Sequence, residues 1–390
     1  MKKKVLFCLQ TMVMGGVEKE LVTVLKRMNP ESFDVDLLLF YIQDEEVIKT
    51  IPGHVKIRNL EVEKSYWFCD GKQYFLTRLA RGHFSEAMNI AFNTAKGRGA
   101  SSAYISLSGL SPLEDEYDCA ICYHLHSGVM LRYVAEKVRA KRKIAWIHND
   151  FNTTGYQVER YINALVQYDS VVAVSERLRK EFIEHCPSLK DRTITIHNIV
   201  DKEEIERKAK EEPDLFFKND AKLKIVTVGR YVEQKGFDLA IETCDILTKM
   251  GLNLSWYAIG WGPEEEKLRK LVKEKQLEDV FFVVGRKDNP YPYIYGADVY
   301  VQPSRHEGYA VTIEEAKALK KIIVCTDFAG ADEQIENERN GIIVHSFSPQ
   351  LIAEAIYNVC TMREVSRRIQ AGINNRAAED GLSSILSVLS

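Results

Sequence analysis

Short apolar runs alternate with amphipathic stretches along the whole chain, and this alternation constrains the fold more than any other feature. A parallel strand covered by helices on both faces reads as a near-continuous apolar run. The covering helices show an apolar period near 3.6 residues. The first series of expected strands is Lys4–Leu9, Val35–Leu39, Cys119–Tyr123, Lys143–Ile147, Ser170–Val174 and Thr193–Ile196. A second series is Leu223–Val228, Leu254–Ile259, Val280–Val284, Val299–Gln302 and Ile322–Thr326. Helical periodicity separates many of them, as in Gly16–Met28, Ser175–His185, Phe237–Met250, Glu264–Lys275 and Ile313–Leu319. The pattern predicts an α/β fold built on parallel sheets.

Two series predict two Rossmann-like domains, and 390 residues are enough for both. The stretch Asp201–Ala221 is highly charged, contains Pro213 and precedes the second series. We therefore expect a first domain over residues 1–200 and a second over 201–362. A helical segment over 363–390 is expected to cross back to the first domain.

The formal net charge of −3 gives no footprint for nucleic acid. No apolar stretch approaches the roughly 20 residues that span a bilayer. The opening Met1-Lys-Lys-Lys and the apolar run after it read better as a first strand than as a secretory signal, because the run is short and no cleavage-like site follows. Cys119 and Cys122 form a Cys-x-x-Cys inside an expected strand with no second pair after it, so reduced core thiols explain them better than zinc or redox chemistry.

Residues 303–316 read Pro-Ser-Arg-His-Glu-Gly-Tyr-Ala-Val-Thr-Ile-Glu-Glu-Ala. The spacing predicts a helix entered near Gly308, with Glu307 at its mouth and Glu315 two turns inside. A helix mouth offers unpaired N–H groups and partial positive charge, which suit a phosphate. Carboxylates on either side could grip hydroxyls of two sugars. Upstream, Val226–Gly236 reads Val-Thr-Val-Gly-Arg-Tyr-Val-Glu-Gln-Lys-Gly. Arg230 and Lys235 there follow a strand, where the ligand crevice of a parallel sheet lies. They could neutralise a diphosphate, Arg by a fork and Lys by a point charge.

The Glu307-x7-Glu315 spacing and the Gly-Arg-x4-Lys-Gly segment together resemble the signature of GT-B glycosyltransferases of the large retaining family 4. The resemblance covers most of residues 222–345. It implies two Rossmann-like domains facing across a cleft, with the sugar nucleotide held by the second and the acceptor by the first. It implies that Arg230 and Lys235 stabilise the leaving diphosphate, that Glu307 contacts the donor sugar and that Glu315 binds the ribose. The backbone of Gly308, Tyr309, Ala310, Val311 and Thr312 would meet the diphosphate. It further implies Gly15 and Gly16 as lining of the donor site and His148 as a contact near the reacting centre. No metal ligands and no cofactor beyond the nucleotide-diphosphate sugar are expected. His124 and His126 also end an expected strand, where they either line the site or pack in the core.

The stretch 64–109 fits the alternation poorly. Six aromatics from Tyr66 to Phe84 are interleaved with Lys64, Lys72, Arg78, Arg81, Lys96 and Arg98. Two readings stay open: a surface for an anionic membrane or lipid-linked acceptor, or helices packing aromatics on the core. The expected function is sugar transfer from a nucleotide-diphosphate sugar to a glycan or lipid-linked acceptor, in bacterial surface polysaccharide or glycolipid synthesis. The expected place is the cytoplasm, peripheral to the inner membrane face. The alternatives are a sugar-nucleotide epimerase or phosphorylase on the same fold, and a transferase-like partner subunit without activity.

Overall fold

The computed structural model describes residues 2–13, 15–61, 88, 107, 110–125, 128–151, 158–212, 217, 222–374 and 381–389. Apart from Met88 and Leu107, the aromatic basic stretch 64–109 lies outside the described residues, as does His126. Two compact units divide the chain. The first comprises Met1–Val174, Leu178–Ile196 and Gly381–Ser390, and the second Ser175–Arg177 and His197–Asp380. The changeover falls between Ile196 and His197, beside the expected boundary at residue 200. Of the expected segment 363–390, residues Arg363 to Asp380 belong to the second unit and Gly381–Ser390 to the first.

In the first unit, strands β1 (Lys3–Leu9), β2 (Phe33–Leu39), β3 (Val55–Asn59), β4 (Glu116–Cys122), β5 (Arg139–Ile147), β6 (Ser170–Ala173) and β7 (Thr193–Thr195) form one sheet. Its order is β3-β2-β1-β4-β5-β6-β7, and every pairing is parallel. Helices α1 (Gly16–Arg27), α2 (Gly128–Lys137) and α3 (Glu176–His185) belong to its crossovers. Val5, Leu6, Phe7, Cys8 and Leu9 are all buried, as a central strand covered on both faces must be. Cys8 and Cys122 sit side by side in register, and both are free. Burial pushes the Cys122 thiol up to about 12, so it stays protonated and inert.

The second sheet has β8 (Leu223–Val228), β9 (Leu254–Ile259), β10 (Phe281–Gly285), β11 (Val299–Gln302), β12 (Ile322–Thr326) and β13 (Ile342–Val344). Its order is β10-β9-β8-β11-β12-β13, again with parallel pairing throughout. The helices that position the site are α4 (Lys202–Lys208), α5 (Phe237–Lys249), α6 (Glu265–Glu274), α7 (Tyr291–Gly296), α8 (Val311–Ala318) and α9 (Ala331–Gln334). Helices α10 (Pro349–Thr361) and α11 (Arg363–Asn374) close the unit. Apolar side chains cover both faces of the sheet, one around Trp256, Phe237 and Ile352, the other around Tyr257, Ile294 and Ile313.

In each sheet the strand order reverses beside the first strand, between β1 and β4 and between β8 and β11. Crossovers depart to opposite sides at such a point and leave a crevice at the carboxyl ends of the two strands. The sequence therefore places its chemistry-bearing loops, those after β1, β4, β8 and β11, at two switch points.

Helix α8 begins at Val311, three residues after the expected entry near Gly308. Ala310 is extended, with φ −76 and ψ 106. The Gln334 amide explains this. Its Oε1 accepts the Ala310 N–H at 2.9 Å and its Nε2 donates to the Ala310 carbonyl at 2.9 Å. That amide satisfies Ala310 as a neighbouring strand would, so the chain stays extended there. Glu307 consequently stands in a loop ahead of the helix, and Glu315 is one turn inside it.

Trp256 is fully buried in β9 and donates its indole N–H to Thr227 Oγ1 at 3.1 Å. Trp256→Ala should lower the unfolding free energy of the second unit by about 3–5 kcal/mol, read from urea transitions. A loss below about 1 kcal/mol would contradict the packing described.

Candidate functional site

The loop after β11 is clamped before it reaches Glu307. The Arg305 guanidinium makes a fork on Asp238 at 2.8 and 2.7 Å and also donates to the Glu233 carbonyl at 2.8 Å. Burial pushes the Asp238 carboxyl up, but the Arg305 fork outweighs it and holds the group below its ordinary range. The Arg305 N–H donates to the Gln234 carbonyl at 2.7 Å, and Gln234 Nε2 donates to the His306 carbonyl at 2.9 Å. Gly236 makes this close approach possible. Its φ is +67, and a Cβ there would lie 2.0 Å from the Pro303 carbonyl oxygen.

The clamp brings together two segments that the sequence holds 72 residues apart. Lys235 Nζ donates to Glu307 Oε1 at 2.5 Å. The same oxygen accepts from Ser304 Oγ at 2.8 Å and Gln302 Nε2 at 3.3 Å. None of these bonds falls on Glu307 Oε2. Glu307 is 8% exposed, while Gln302 and Ser304 are fully enclosed. Arg230 is exposed in the loop after β8, and among the described residues it carries no ion pair. The Gly229 N–H donates to Ile259 and the Tyr231 N–H to Trp261, so neighbouring backbone holds the Arg230 loop on both sides.

Further along, Thr312 Oγ1 donates to Gln302 Oε1 at 2.9 Å, so the Thr312 hydroxyl serves the interior. Glu315 is buried and accepts the Tyr291 hydroxyl of α7 at 3.1 Å. Burial, and then the Glu315 carboxylate, push the Tyr291 phenol far up, so it remains a donor. Glu314 is occupied by Lys317, Gln334 and the Tyr309 hydroxyl. Tyr309 stacks on His197 with centroids 4.8 Å apart, and its carbonyl accepts from Asn198 at 3.2 Å. Among the backbone donors expected at the helix mouth, the Ala310 N–H is taken by Gln334.

In the first unit, Gly15 is the extended N-cap of α1 after β1, and Gly16 opens that helix. His148 directly follows β5, and His124 follows β4 by two residues. The strands β1, β4 and β5 are neighbours, so these loops share one carboxyl edge. His148 is 5% exposed. Its ring lies 5.1 Å from Tyr123, 5.7 Å from His124 and 6.4 Å from Trp146, centroid to centroid. Asn149 Nδ2 lies 2.8 Å from His124 Nε2, so that nitrogen accepts and Nδ1 carries the proton. The Tyr123 hydroxyl donates to Glu20, which is buried on α1.

Sequence reasoning missed Gln302, Ser304, Tyr291, Gln334 and Glu20. A signal existed for Gln302, a polar residue ending an otherwise apolar strand. The partners of Gln334 and Tyr291 come from separate elements and leave no local trace. Among the described residues, no three His, Cys, Asp or Glu side chains form a group able to hold a metal ion, and no helix is long and apolar enough to cross a membrane.

Burial drives the His148 imidazole down to about 3, opposed in part by the Tyr123 carbonyl. A histidine depressed from its usual 6.5 contributes stability that is present above pH 6.5 and lost as pH falls toward 3. The His148 ring resonances should therefore stay flat between about pH 5 and 8 in NMR titrations. Titration near 6.5 would show the ring to be solvated.

Residues 208–376 match the family Glycosyl transferases group 1. The chain is 32% identical over 142 residues to a putative colanic acid biosynthesis glycosyltransferase of Escherichia coli, covering 34% of this chain and 35% of that protein. It spans about a third to a half of the length of the first curated relatives it matches. A crystallised glycosyltransferase from Rickettsia africae superposes with a TM-score of 0.70 at 16% identity, over 100% of this chain and 98% of the other. Anabaena HepE, solved in complex with UDP, gives a TM-score of 0.70 at 16% identity, over 100% and 99%. These structures share the fold: two parallel-sheet Rossmann-like domains of the GT-B kind.

Proposed function

We propose that this chain is a retaining glycosyltransferase of family 4, moving a sugar from a nucleotide-diphosphate sugar to an acceptor hydroxyl. The observation that carries the reading is the Lys235–Glu307 contact at the switch point of the second sheet. It puts a cation and a hydroxyl-accepting carboxylate side by side where a parallel sheet receives its ligand. Arg230 adds a second, exposed cation on the adjoining loop. Glu315 stands one turn into α8, suited to ribose hydroxyls.

The chemistry follows from charge. Leaving-group departure develops negative charge on the diphosphate. Arg230 and Lys235, fixed in advance, stabilise that charge more in the transition state than in the ground state. The diphosphate oxygen released takes the acceptor proton as the new glycosidic bond forms on the face it leaves. That keeps the anomeric configuration and needs no glycosyl-enzyme intermediate. Glu307 accepts a hydroxyl of the donor sugar. The first unit, with Gly15, Gly16 and the neutral His148 at one carboxyl edge of its sheet, takes the acceptor. In this reading the two cations do the work of a divalent ion.

A pathway in surface polysaccharide assembly is supported by the likeness to the colanic acid protein, and a uridine nucleotide by the HepE complex. Work at the cytoplasmic membrane face, on a glycan or lipid-linked acceptor, belongs to the same reading.

Purified chain titrated with a panel of nucleotide sugars, then supplied with acceptors, tests it. Product of the donor's own anomeric configuration is expected. Recovery of an epimer or a sugar phosphate would favour another enzyme on this fold, and silence toward every nucleotide sugar would sink the assignment. Arg230→Ala and Lys235→Ala should each lower kcat by about 10²–10³. Excess EDTA should leave the transfer rate unchanged; its collapse, restored by a divalent cation, would remove the proposed role of the cations.

A further inference from the structure

The buried hydrogen bonds behind Glu307 run in one direction. Gln302 Oε1 accepts the Tyr300 hydroxyl at 2.6 Å and the Thr312 hydroxyl at 2.9 Å. Glu307 Oε1 can only accept, so the Gln302 amide atom that faces it is the nitrogen and the atom shared by the two hydroxyls is the oxygen. Nε2 must then face the other way, where it donates to Ser304 Oγ at 2.7 Å and Glu307 Oε1 at 3.3 Å. Ser304 Oγ, already accepting from Gln302, has its own proton to give, and it goes to Glu307 Oε1 at 2.8 Å. Tyr300, Gln302 and Ser304 are all fully buried. Burial pushes the Tyr300 phenol far up, which keeps it a donor at every working pH.

We infer that Gln302 is a positioning residue, the centre of a relay that ties Glu307 Oε1 into the fold and presents Oε2 to a hydroxyl of the donor sugar. This rests on the proposed role of Glu307. The direction of the relay matters as much as its contacts. Each member hands a proton toward Glu307, so the carboxylate is held as an acceptor. An acceptor recognises a sugar hydroxyl, and it gives nothing to a bare nucleoside diphosphate. Gln302 should therefore govern affinity for the sugar-bearing ligand without governing affinity for the diphosphate, although it touches neither.

Calorimetric titration with UDP and with UDP-glucose reads this directly. Gln302→Met keeps the length of the side chain and removes its hydrogen bonds. It should weaken UDP-glucose roughly 10-fold or more and leave UDP within about twofold. The double variant Gln302→Met with Glu307→Gln should bind UDP-glucose no more weakly than Glu307→Gln alone. Tyr300→Phe, which touches only the far end of the relay, should show the same selective loss to a smaller degree, and it carries the test if Gln302→Met does not fold. Equal weakening of both ligands, or full additivity in the double variant, overturns the inference. If the wild type binds neither ligand, the functional reading fails for this donor, and urea unfolding of the wild type, Gln302→Met, Glu307→Gln and the double variant decides the relay alone. Non-additive stability losses then support it, and additive losses overturn it.

Discussion

The passage of the Lys235–Gly236 backbone against the Pro303 carbonyl is the contact on which the second unit's site depends. No side chain fits there, since even a methyl carbon would lie 2.0 Å from that oxygen. The left-handed turn at Gly236 and the absence of a Cβ let the loop after β8 reach the loop after β11. The Arg305–Asp238 fork then keeps them together. The switch-point topology puts these loops in the same place; the glycine lets them touch. Without it, Lys235 and Glu307 would be two unrelated residues on loops that follow neighbouring strands.

The pair so formed is largely enclosed, with side-chain exposures of 17% for Lys235 and 9% for Glu307. Withdrawing two charges from water costs several kcal/mol each, and their attraction repays this only when geometry is good and the remaining valences are filled. Such pairs are weak devices for stabilising a fold. Here the added donors from Ser304 and Gln302 supply what the ion pair alone would lack. The arrangement makes sense as a way to keep opposite charges adjacent and oriented at a ligand-facing edge. In the proposed function a diphosphate would compete there for the ammonium and a hydroxyl would take the remaining carboxylate oxygen.

Much of the fold was legible because its information is local. Leu223–Val228, Leu254–Ile259, Val299–Gln302 and Ile322–Thr326 have the bounds their apolar runs announce. β3 and β13 were not read, for a physical reason. Both are edge strands, and β3 is mostly exposed, so its residues alternate poorly. What holds β3 is distant: Arg58 pairs with the buried Asp36, which also accepts the Tyr117 hydroxyl. In the site, Lys235 and Glu307 could be paired from two recognisable segments, and they do meet. The start of α8 could not be placed, because the residue that delays it, Gln334, lies 24 residues downstream. Local pattern reports propensity; it is silent about an amide arriving from another helix.

The carboxyl edges of the two sheets bury polar groups by opposite means. Around Glu307, donors are supplied until a charge can be kept in an enclosed place. Around His148, aromatic rings close in and charge is denied, leaving a neutral imidazole with its proton on a single nitrogen. A neutral ring can accept or donate a hydrogen bond to a hydroxyl without attracting a phosphate, which a histidinium would do. The same low polarity that makes an unpaired charge costly is met in the second unit by added donors and in the first by loss of the charge itself.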